Sequence, residues 1–458
     1  MTSKPPPTLP VGNAGTFSGI TDNFSFHASP ESFLSNYALR YQQDHPEDAS
    51  KRLPIRAKIL NRNVVVVSSY RRIKQVLDAD QDDQEHPSYS ANASYKLLMD
   101  QFFPPPNLLL TDGCPHAKMK SEWSQYARNL ETEAVQTKMK SIASRFVSEL
   151  PKDQPFDLYD KLKDLSWQLF LSTFLDLSRD DPEYTEIVKL QENLLRGQFS
   201  LLPISINTGF WHSPRKVGID ARKKLQKILA KRKRPSWLGE GQMDEVVVNH
   251  LLMASSSLAV KGFSSLLLAF LLNAFLFREG DQSTMEWIFS DPAGSEAKAQ
   301  AVLNETLRLS PPIVGVMRRT TKDCTLASGD DQQPDTLVPS GWDAWTYFAG
   351  GNRDANMFGE DADVFRPKRY LEEDASLPFA FGVGPKTCLG QEFTRNTAVT
   401  VLKAFSEAEL RLDGEVNAAG VRGWLGLEIA GPEQWAQDIK QLPTQRPSKP
   451  IMVWLRQK

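Results

Sequence analysis

The spacing of apolar residues predicts helices through most of the chain and short strands after Arg308. Between Lys118 and Leu177 the apolar positions recur at helical intervals. A β-branched run at Asn61–Ser69, followed by a helical pattern through Tyr70–Ala79, predicts an early strand and helix. Turn-rich loops and a strand-like Ile451–Leu455 predict small sheets near the end. The expected fold class is therefore mainly α with small β-sheets (α+β).

One very long helix is predicted over Asp244–Phe277, because this stretch contains no proline. At 1.5 Å per residue it would extend roughly 50 Å and cross a whole domain. Its most apolar part, Phe263–Phe277, is 15 residues long and includes two serines and an asparagine. Such a run is typical of a buried helix rather than a membrane span.

The segment before this helix combines an apolar stretch with a basic one. Leu201–Trp211 is apolar and turn-rich, and Arg215–Arg234 contains ten Lys or Arg residues. A solvated helix face is the simpler interpretation, and contact with a membrane or an acidic partner is the alternative.

The sequence contains no internal repeat and no low-complexity linker between two halves. Residues 1–458 are therefore predicted to form a single domain with an irregular, Pro-rich start at 1–15.

Composition excludes several protein classes. The 458 residues are 40% hydrophobic and 24% charged, which argues against disordered and fibrous proteins. A formal net charge of −2 argues against a nucleic-acid partner. Three widely spaced cysteines, Cys114, Cys324 and Cys388, argue against a disulfide framework and indicate a reducing compartment. The first ten residues contain no apolar stretch, so we expect a soluble, cytoplasmic protein without a transmembrane anchor, and peripheral membrane contact stays open.

The most informative motif is FAFGVGPKTCLGQEF at Phe379–Phe393, which places Cys388 in a glycine-bearing loop before a helical segment. Backbone N–H groups at a helix N-terminus favour a thiolate, and the glycines allow a flat cofactor to approach the backbone. In a chain of this composition, the expected number of chance occurrences of the pattern formed by Phe381, Gly384, Cys388 and Gly390 is about 5 × 10⁻⁴. The loop is therefore predicted to present one sulfur.

This loop closely resembles the haem-binding loop of the cytochrome P-450 haem-thiolate enzymes. The resemblance implies haem b (iron protoporphyrin IX) with Cys388 as the axial iron ligand, and a fold with one long central helix over the haem. In that chemistry the thiolate pushes electron density onto iron and favours O–O cleavage. An inert buried thiol is the alternative for a lone cysteine.

A second motif is the pair Glu305 and Arg308 in LNETLRLSPP. Pairs at i,i+3 are common on helix surfaces, where they contribute only ~0.2–0.5 kcal/mol. This pair resembles the family's Glu-x-x-Arg motif, and Arg369, in FRPKRY, resembles its third member. The resemblance implies a buried structural triad that holds the haem side together.

Four basic residues resemble the family's partners of the haem propionates. They are His116 and Lys120 in TDGCPHAKMKSEW, Arg318 on a following strand, and Lys386 two residues before the cysteine. Lys120 stands where the family has Arg, so the charge is kept and the bidentate fork is lost. For His116, Lys120 and Lys386, an ordinary surface position is the alternative.

The long helix departs from the family pattern, in which an acid and an alcohol at its middle deliver protons to iron-bound oxygen. The best-fitting stretch runs from Ala254 to Leu258, with Ser257 at the acid position and Leu258 at the alcohol position. Moving the register to Gly262 restores no acid. Ala254, Ser257 and Leu258 are the candidate distal catalytic positions. Upstream, the side chains of Asn249 and His250 are expected to face either the distal pocket or, as the alternative, other helices or solvent.

The resemblance implies a monooxygenase-type oxidoreductase that acts on a small hydrophobic molecule, with secondary metabolism as the expected setting. A redox partner, either an NADPH-dependent reductase or a ferredoxin, is expected. Because the acid is missing, alternatives are a reductase-independent isomerase, lyase or dehydratase, or a peroxide-using enzyme; a non-catalytic haem-binding protein is a third class. We expect substrate contacts from Gln81–Leu110, Leu201–Trp211 and Ala254–Leu258.

Overall fold

The computed structural model is mainly helical with small β-sheets, which confirms the predicted fold class. It describes residues 6–12, 53–59, 62–79, 87–152, 154–199, 207–208, 211–279, 282–329, 334–413, 439–440 and 444–457, and five single positions between 20 and 33.

The helices of these residues are, in chain order, α1 Tyr70–Asp78, α2 Ala91–Met99, α3 Gly113–Arg128, α4 Glu133–Glu149, α5 Leu158–Phe174, α6 Tyr184–Gln198, α7 Pro214–Lys231, α8 Glu245–Ala254, α9 Ser257–Leu276, α10 Thr284–Phe289, α11 Ser295–Leu309, α12 Phe348–Gly351, α13 Ala355–Phe358 and α14 Gln391–Glu407.

The strands are β1 Val11–Gly12, β2 Ile55–Ile59, β3 Arg62–Val67, β4 Tyr89–Ser90, β5 Phe156–Asp157, β6 Asn207–Thr208, β7 Trp211–His212, β8 Arg278–Glu279, β9 Gln282–Ser283, β10 Gly315–Thr320, β11 Cys324–Leu326, β12 Thr336–Val338, β13 Asp343–Tyr347, β14 Leu410–Asp413, β15 Ile439–Lys440, β16 Arg446–Pro447 and β17 Met452–Gln457.

The chain divides into two compact units. The first unit comprises Met1–Ser94, Leu272–Cys388 and Glu415–Lys449, and the second comprises Tyr95–Leu271, Leu389–Gly414 and Pro450–Lys458. The single domain expected from the sequence stays a prediction.

The first unit is built on a six-stranded sheet with the order β1-β2-β3-β13-β10-β4. Strand β3 pairs with β2 in an antiparallel hairpin and with β13 in parallel. Both faces of β3 are covered: Val65 and Val67 pack with the apolar side of α1, and Val64 and Val66 pack around Trp345. Because side chains alternate along a strand, burial on both faces requires the unbroken valine run seen in the sequence.

A buried carboxylate at the start of β13 joins this interior strand to its neighbours in the sheet. The side chain of Asp343 is fully buried and accepts hydrogen bonds from Arg62 (3.2 Å), from Ser94 Oγ (3.0 Å) and from both Nε and Nη2 of Arg319 (3.2 and 2.9 Å). Two guanidinium groups therefore compensate the cost of burying one charge.

The second unit is a helical assembly with a small sheet ordered β14-β17-β5. Helix α5 is buried along most of its length, which is typical of a core helix. The Phe170 ring contacts Phe263 of α9 and Phe393 of α14, with centroids 5.4 and 5.9 Å apart. Ser166 accepts a hydrogen bond from Ser264 at 3.0 Å, so a polar pair crosses the same interface.

Helices α6 and α7 cross with their backbones in contact. A Cβ atom placed on Gly218 would lie 2.8 Å from the Cα of Gly197, and the reverse distance is also 2.8 Å. Only glycine fits at this crossing, because the obstructing atoms belong to the backbone. The fully buried Phe102 ring packs beside the contact, so this residue of the predicted substrate region has a packing role.

The predicted long helix is present over 245–276, with an interruption at Ser255 and Ser256. Ser255 Oγ donates to the carbonyl of Leu251 at 2.7 Å, and Ser256 Oγ accepts from the N–H of Ala259 at 3.2 Å. Gln191 of α6 donates to the Leu252 carbonyl at 3.3 Å. Side chains thus serve backbone groups at the break, Gln191 for the Leu252 carbonyl and Ser256 for the N–H of Ala259, and the helix divides into α8 and α9.

One helical stretch of the described residues, 245–276, is long and apolar enough to cross a membrane by length and composition. Within the protein, 72% of its most apolar 18-residue window is buried, as in the core helix of a globular protein.

Candidate functional site

The Cys388 loop consists of two short 3₁₀ turns, Phe379–Phe381 and Gly384–Lys386. Gly384 has a φ of 72°, and a Cβ atom there would lie 2.8 Å from the carbonyl oxygen of Leu77. Glycine is therefore required for both conformation and space. The N–H of Cys388 donates to the Phe381 carbonyl at 2.9 Å, which closes the loop. The Cys388 side chain is exposed and forms no disulfide.

Gly390 has a different role. It is the N-cap residue of α14, its carbonyl accepts from the N–H of Thr394 at 2.9 Å, and its φ of −84° is open to any residue. The conformation of the backbone thus requires glycine at 384 and not at 390.

The structure brings Glu305, Arg308 and Arg369 into contact. Glu305 and Arg308 are fully buried and form a two-pronged ion pair, with both N···O distances at 2.8 Å. Arg369 Nε donates to Glu305 Oε1 at 3.2 Å, and the backbone N–H of Arg366 donates to the same oxygen at 2.7 Å. Two guanidinium groups and a backbone amide therefore saturate this carboxylate.

Arg308 extends the network into the following segment of the chain. It donates to the carbonyl oxygens of Asn352 (2.8 Å), Ala362 and Val364 (3.1 Å). Asn352 Oδ1 in turn accepts from the N–H of Phe379 at 2.9 Å, at the start of the Cys388 loop. A continuous chain of hydrogen bonds therefore joins the triad to the loop.

The predicted propionate partners are divided between the two units. Arg318 and Lys386 belong to the first unit, which also contains Cys388, and His116 and Lys120 belong to the second. Arg318 is buried on β10 and donates to the carbonyl of Met317 at 3.0 Å. His116 is buried on α3, and Lys120 and Lys386 are half-buried. Their role towards a cofactor stays a prediction.

The predicted distal positions lie at the interruption of the long helix, where Ala254 ends α8 and Ser257 begins α9. Ser257 Oγ donates to Glu192 Oε1 of α6 at 3.0 Å. Lys261 Nζ, one turn further along α9, contacts Glu192 Oε2 at 2.8 Å. Leu258 is half-buried. A carboxylate thus lies beside the long helix, although the helix itself contributes none at this point.

Comparisons with known proteins agree on one family. The cytochrome P450 family profile matches residues 299–405, which include the triad's Glu305, Arg308 and Arg369 and also Cys388. The chain is 33% identical over 150 residues to cytochrome P450 52A7 of Candida tropicalis, which covers 30% of this chain and 29% of that protein. It is 34% identical over 108 residues to the cytochrome P450 monooxygenase himC of Aspergillus japonicus, which covers 23% and 20% of the two chains.

The fold agrees over a much longer stretch. The solved structure of the retinoic acid-bound cyanobacterial CYP120A1 superposes with a TM-score of 0.69 at 18% identity, and covers 99% of this chain and 100% of that one. The chain has the cytochrome P450 fold, and its residues 299–405 match the cytochrome P450 family. The stretches matched in the two curated P450 relatives span less than a third of their length, so the activity of the whole protein is a proposal.

The residues of the Cys388 loop fit a haem as the resident group. Among the described residues, no group of three or more His, Cys, Asp or Glu side chains could hold a metal ion. The chain offers one exposed sulfur in a rigid loop, and a single thiolate suits a metal whose other ligands come from a macrocycle.

Asn249 and His250 pack against other helices, the second of the two interpretations given for them. Asn249 Oδ1 accepts from Gln226 of α7 at 2.8 Å. The His250 ring stacks on Trp123 of α3, with centroids 4.0 Å apart and planes 16° apart, and its Nδ1 bonds the Val246 carbonyl at 2.7 Å. Burial lowers the pKa of His250, which keeps the ring neutral near neutral pH.

Two predicted substrate segments lie partly outside the described residues: 80–86, 200–206 and 209–210 are not described. In the described part of the first, Asn107 folds the proline run back on itself. Its side-chain amide donates to the carbonyls of Phe103 and Pro104 and accepts from the N–H groups of Leu109 and Leu110, all at 2.9 Å.

The triad generates a stability prediction. Glu305→Ala removes the carboxylate that compensates two buried guanidinium groups, and we expect a loss of about 3–5 kcal/mol in the free energy of unfolding. Arg366→Ala is the matched control, because its side chain pairs with the partly exposed Asp361 and Glu372 and should cost about 1 kcal/mol or less. Thermal and urea unfolding measure both variants. Equal melting of Glu305→Ala and wild type would contradict a structural role.

His250 generates a pH prediction. The folded state holds the ring neutral, so its contribution is present above the unfolded pKa of about 6.5 and is lost as the pH falls below that value. One proton limits the slope to about 1.4 kcal/mol per pH unit. Urea unfolding followed by tryptophan fluorescence should show a shallower acid loss in His250→Gln than in wild type. His212→Gln, at an exposed site, should leave the slope unchanged; identical slopes in all three proteins would refute the prediction.

Proposed function

We propose that this protein is a cytochrome P450, a haem-thiolate oxidoreductase of the monooxygenase type that inserts oxygen into a small hydrophobic molecule. The observation that carries the proposal is the Cys388 loop, which is closed by the Phe381–Cys388 hydrogen bond and joined to the buried Glu305 network. A rigid loop keeps an exposed thiol in one position, as an axial ligand requires.

When bound, haem b would supply an iron centre for oxygen activation, with its electron density raised by the thiolate. Cys388 would be the iron ligand, and Phe381 and Gly384 would shape the loop. Arg318, Lys386, His116 and Lys120 are the proposed partners of the two propionates, since cations compensate carboxylates.

Proton supply is the step that the sequence leaves open. Ser257 carries a hydroxyl on α9, and Glu192 accepts from both this hydroxyl and the Lys261 ammonium group. We infer that Ser257 Oγ, which Glu192 orients, holds the proton that the missing helix acid would otherwise supply. This pair supports oxygen activation over a rearrangement in a dry pocket.

The same proposal includes a small hydrophobic substrate, a role in secondary metabolism, and an NADPH-dependent reductase or ferredoxin as electron donor. It also includes a soluble, cytoplasmic location, with peripheral membrane contact as the alternative. They rest on the likeness to the family. The second candidate function is a reductase-independent isomerase, lyase or dehydratase, which the absence of an acid between Ala254 and Leu258 favours.

The axial ligand can be tested by spectroscopy. Reduced protein under carbon monoxide should show the strongly red-shifted Soret band of thiolate-ligated haem, because Cys388 is the proposed ligand. Cys388→Ala should abolish this band. Cys114→Ala, which removes the other exposed thiol, should retain it. An unchanged spectrum in Cys388→Ala would exclude this cysteine as the ligand.

The reaction class can be tested with isotope-labelled dioxygen, a reductase, and a substrate identified from a panel of small hydrophobic molecules. Label should enter the product only when NADPH and the reductase are present. Glu192→Gln should lower product formed per NADPH by about tenfold or more and increase peroxide release, since general acid catalysis typically contributes 10²–10⁴-fold.

Glu186→Gln is the matched control on the same helix and should behave like wild type, because Glu186 pairs with the exposed Lys224. Unlabelled product formed without reductase would replace the monooxygenase proposal with the isomerase or lyase alternative. Normal coupling in Glu192→Gln would remove Glu192 from proton supply.

A further inference from the structure

A basic groove lies in the second unit, at the end of the α6–α7 pair that is distant from the Gly197–Gly218 crossing. Its volume is about 580 Å³. The lining residues come from the start of α6 and from the C-terminal half of α7 with the residues after it: Glu183, Lys224, Lys227, Ile228, Lys231, Arg232 and Lys233.

The charges of the groove are strongly unbalanced, with five cations against one carboxylate. Arg232 binds Glu183, so this carboxylate is already neutralised. Lys224 pairs with Glu186 of α6 at 2.5 Å. Lys227, Lys231 and Lys233 are exposed and have no carboxylate partner among the described residues. The groove therefore carries a net positive charge within a chain whose formal net charge is −2.

Helix stability alone does not account for this cluster. Lys227 and Lys231 are four residues apart on one face of α7, and like charges at that spacing destabilise a helix. The negative end of the helix macrodipole favours cations only in the last turn. Lys224 precedes that turn, and Lys233 follows the helix end. The cations thus line one groove even though the repulsion between them destabilises helix α7.

The lining defines the chemistry of a ligand. Ile228 is the only apolar residue among the seven, so the groove does not suit a hydrophobic molecule. Its volume lies within the usual range for small-ligand sites. A protein partner would require about 800 Å² of surface with aromatic anchors, and the lining contains no aromatic residue. Ammonium groups act as point charges that suit phosphate oxygens in several orientations.

We propose that this groove binds a multiply charged anion of the phosphate class, through Lys224, Lys227, Lys231 and Lys233. The same chemistry is offered by a free polyphosphate and by a phosphorylated lipid headgroup. The site is independent of the haem chemistry proposed above, because none of its residues belongs to the Cys388 loop, to the triad, or to the group formed by Glu192, Ser257 and Lys261.

The test uses the full-length holoprotein and inorganic tripolyphosphate at low salt, followed by titration calorimetry. Wild type should bind saturably at one site, and binding should weaken as salt is added. Lys227→Gln/Lys231→Gln should weaken binding by about tenfold or more. Lys189→Gln/Lys223→Gln is the matched control, because it removes the same net charge from exposed positions of α6 and α7 that do not line the groove.

A second arm measures co-sedimentation with phosphatidylcholine vesicles with and without phosphatidylinositol bisphosphate. Binding of tripolyphosphate alone identifies a free polyphosphate as the source, and added binding to the bisphosphate vesicles, lost in the groove variant, identifies the headgroup. Equal weakening in the two double variants would show diffuse surface charge and would overturn the site, as would failure of wild type to bind either probe. Unchanged haem spectra and melting keep these outcomes separate from folding and from the proposed oxidoreductase activity.

Discussion

The Glu305 carboxylate is the interaction on which the Cys388 loop depends. A fully buried charge is tolerated only when hydrogen bonds saturate it, and here Arg308, Arg369 and one backbone amide do so. Because Arg308 also holds the Asn352 carbonyl and Asn352 holds Phe379, the position of the loop is set from α11. The hydrogen bonds that compensate the buried Glu305 charge thus also determine the position of the Cys388 sulfur.

The interruption of the long helix is a second constraint with chemical consequences. Serine hydroxyl groups satisfy backbone groups at Ser255 and Ser256, and the new helix start places Ser257 beside Glu192. A helix that continued without a break would present the same residues in a different register. The three consecutive serines, 255 to 257, therefore determine both the backbone conformation at the break and the groups that can exchange protons there.

Local motifs were readable from the sequence, and contacts between distant residues were not. The valine run predicted β3, and the pattern through Tyr70–Ala79 predicted α1, because strand and helix periodicities are written in adjacent residues. Glu192 carried no signal, since it is 65 residues from Ser257 and belongs to no motif. The helix interruption was missed because apolar periodicity is insensitive to hydroxyl groups that compete for backbone partners.

The Gly197–Gly218 contact has a mechanical consequence. Where two helices touch through their backbones, no side chain can change rotamer to let them slide past each other. Gly197 lies near the end of α6 and Gly218 near the start of α7, so both helices extend mainly to the same side of the crossing, towards the lysines. A tilt of one helix at the lysine end would therefore be passed to the other helix through the Gly197–Gly218 contact.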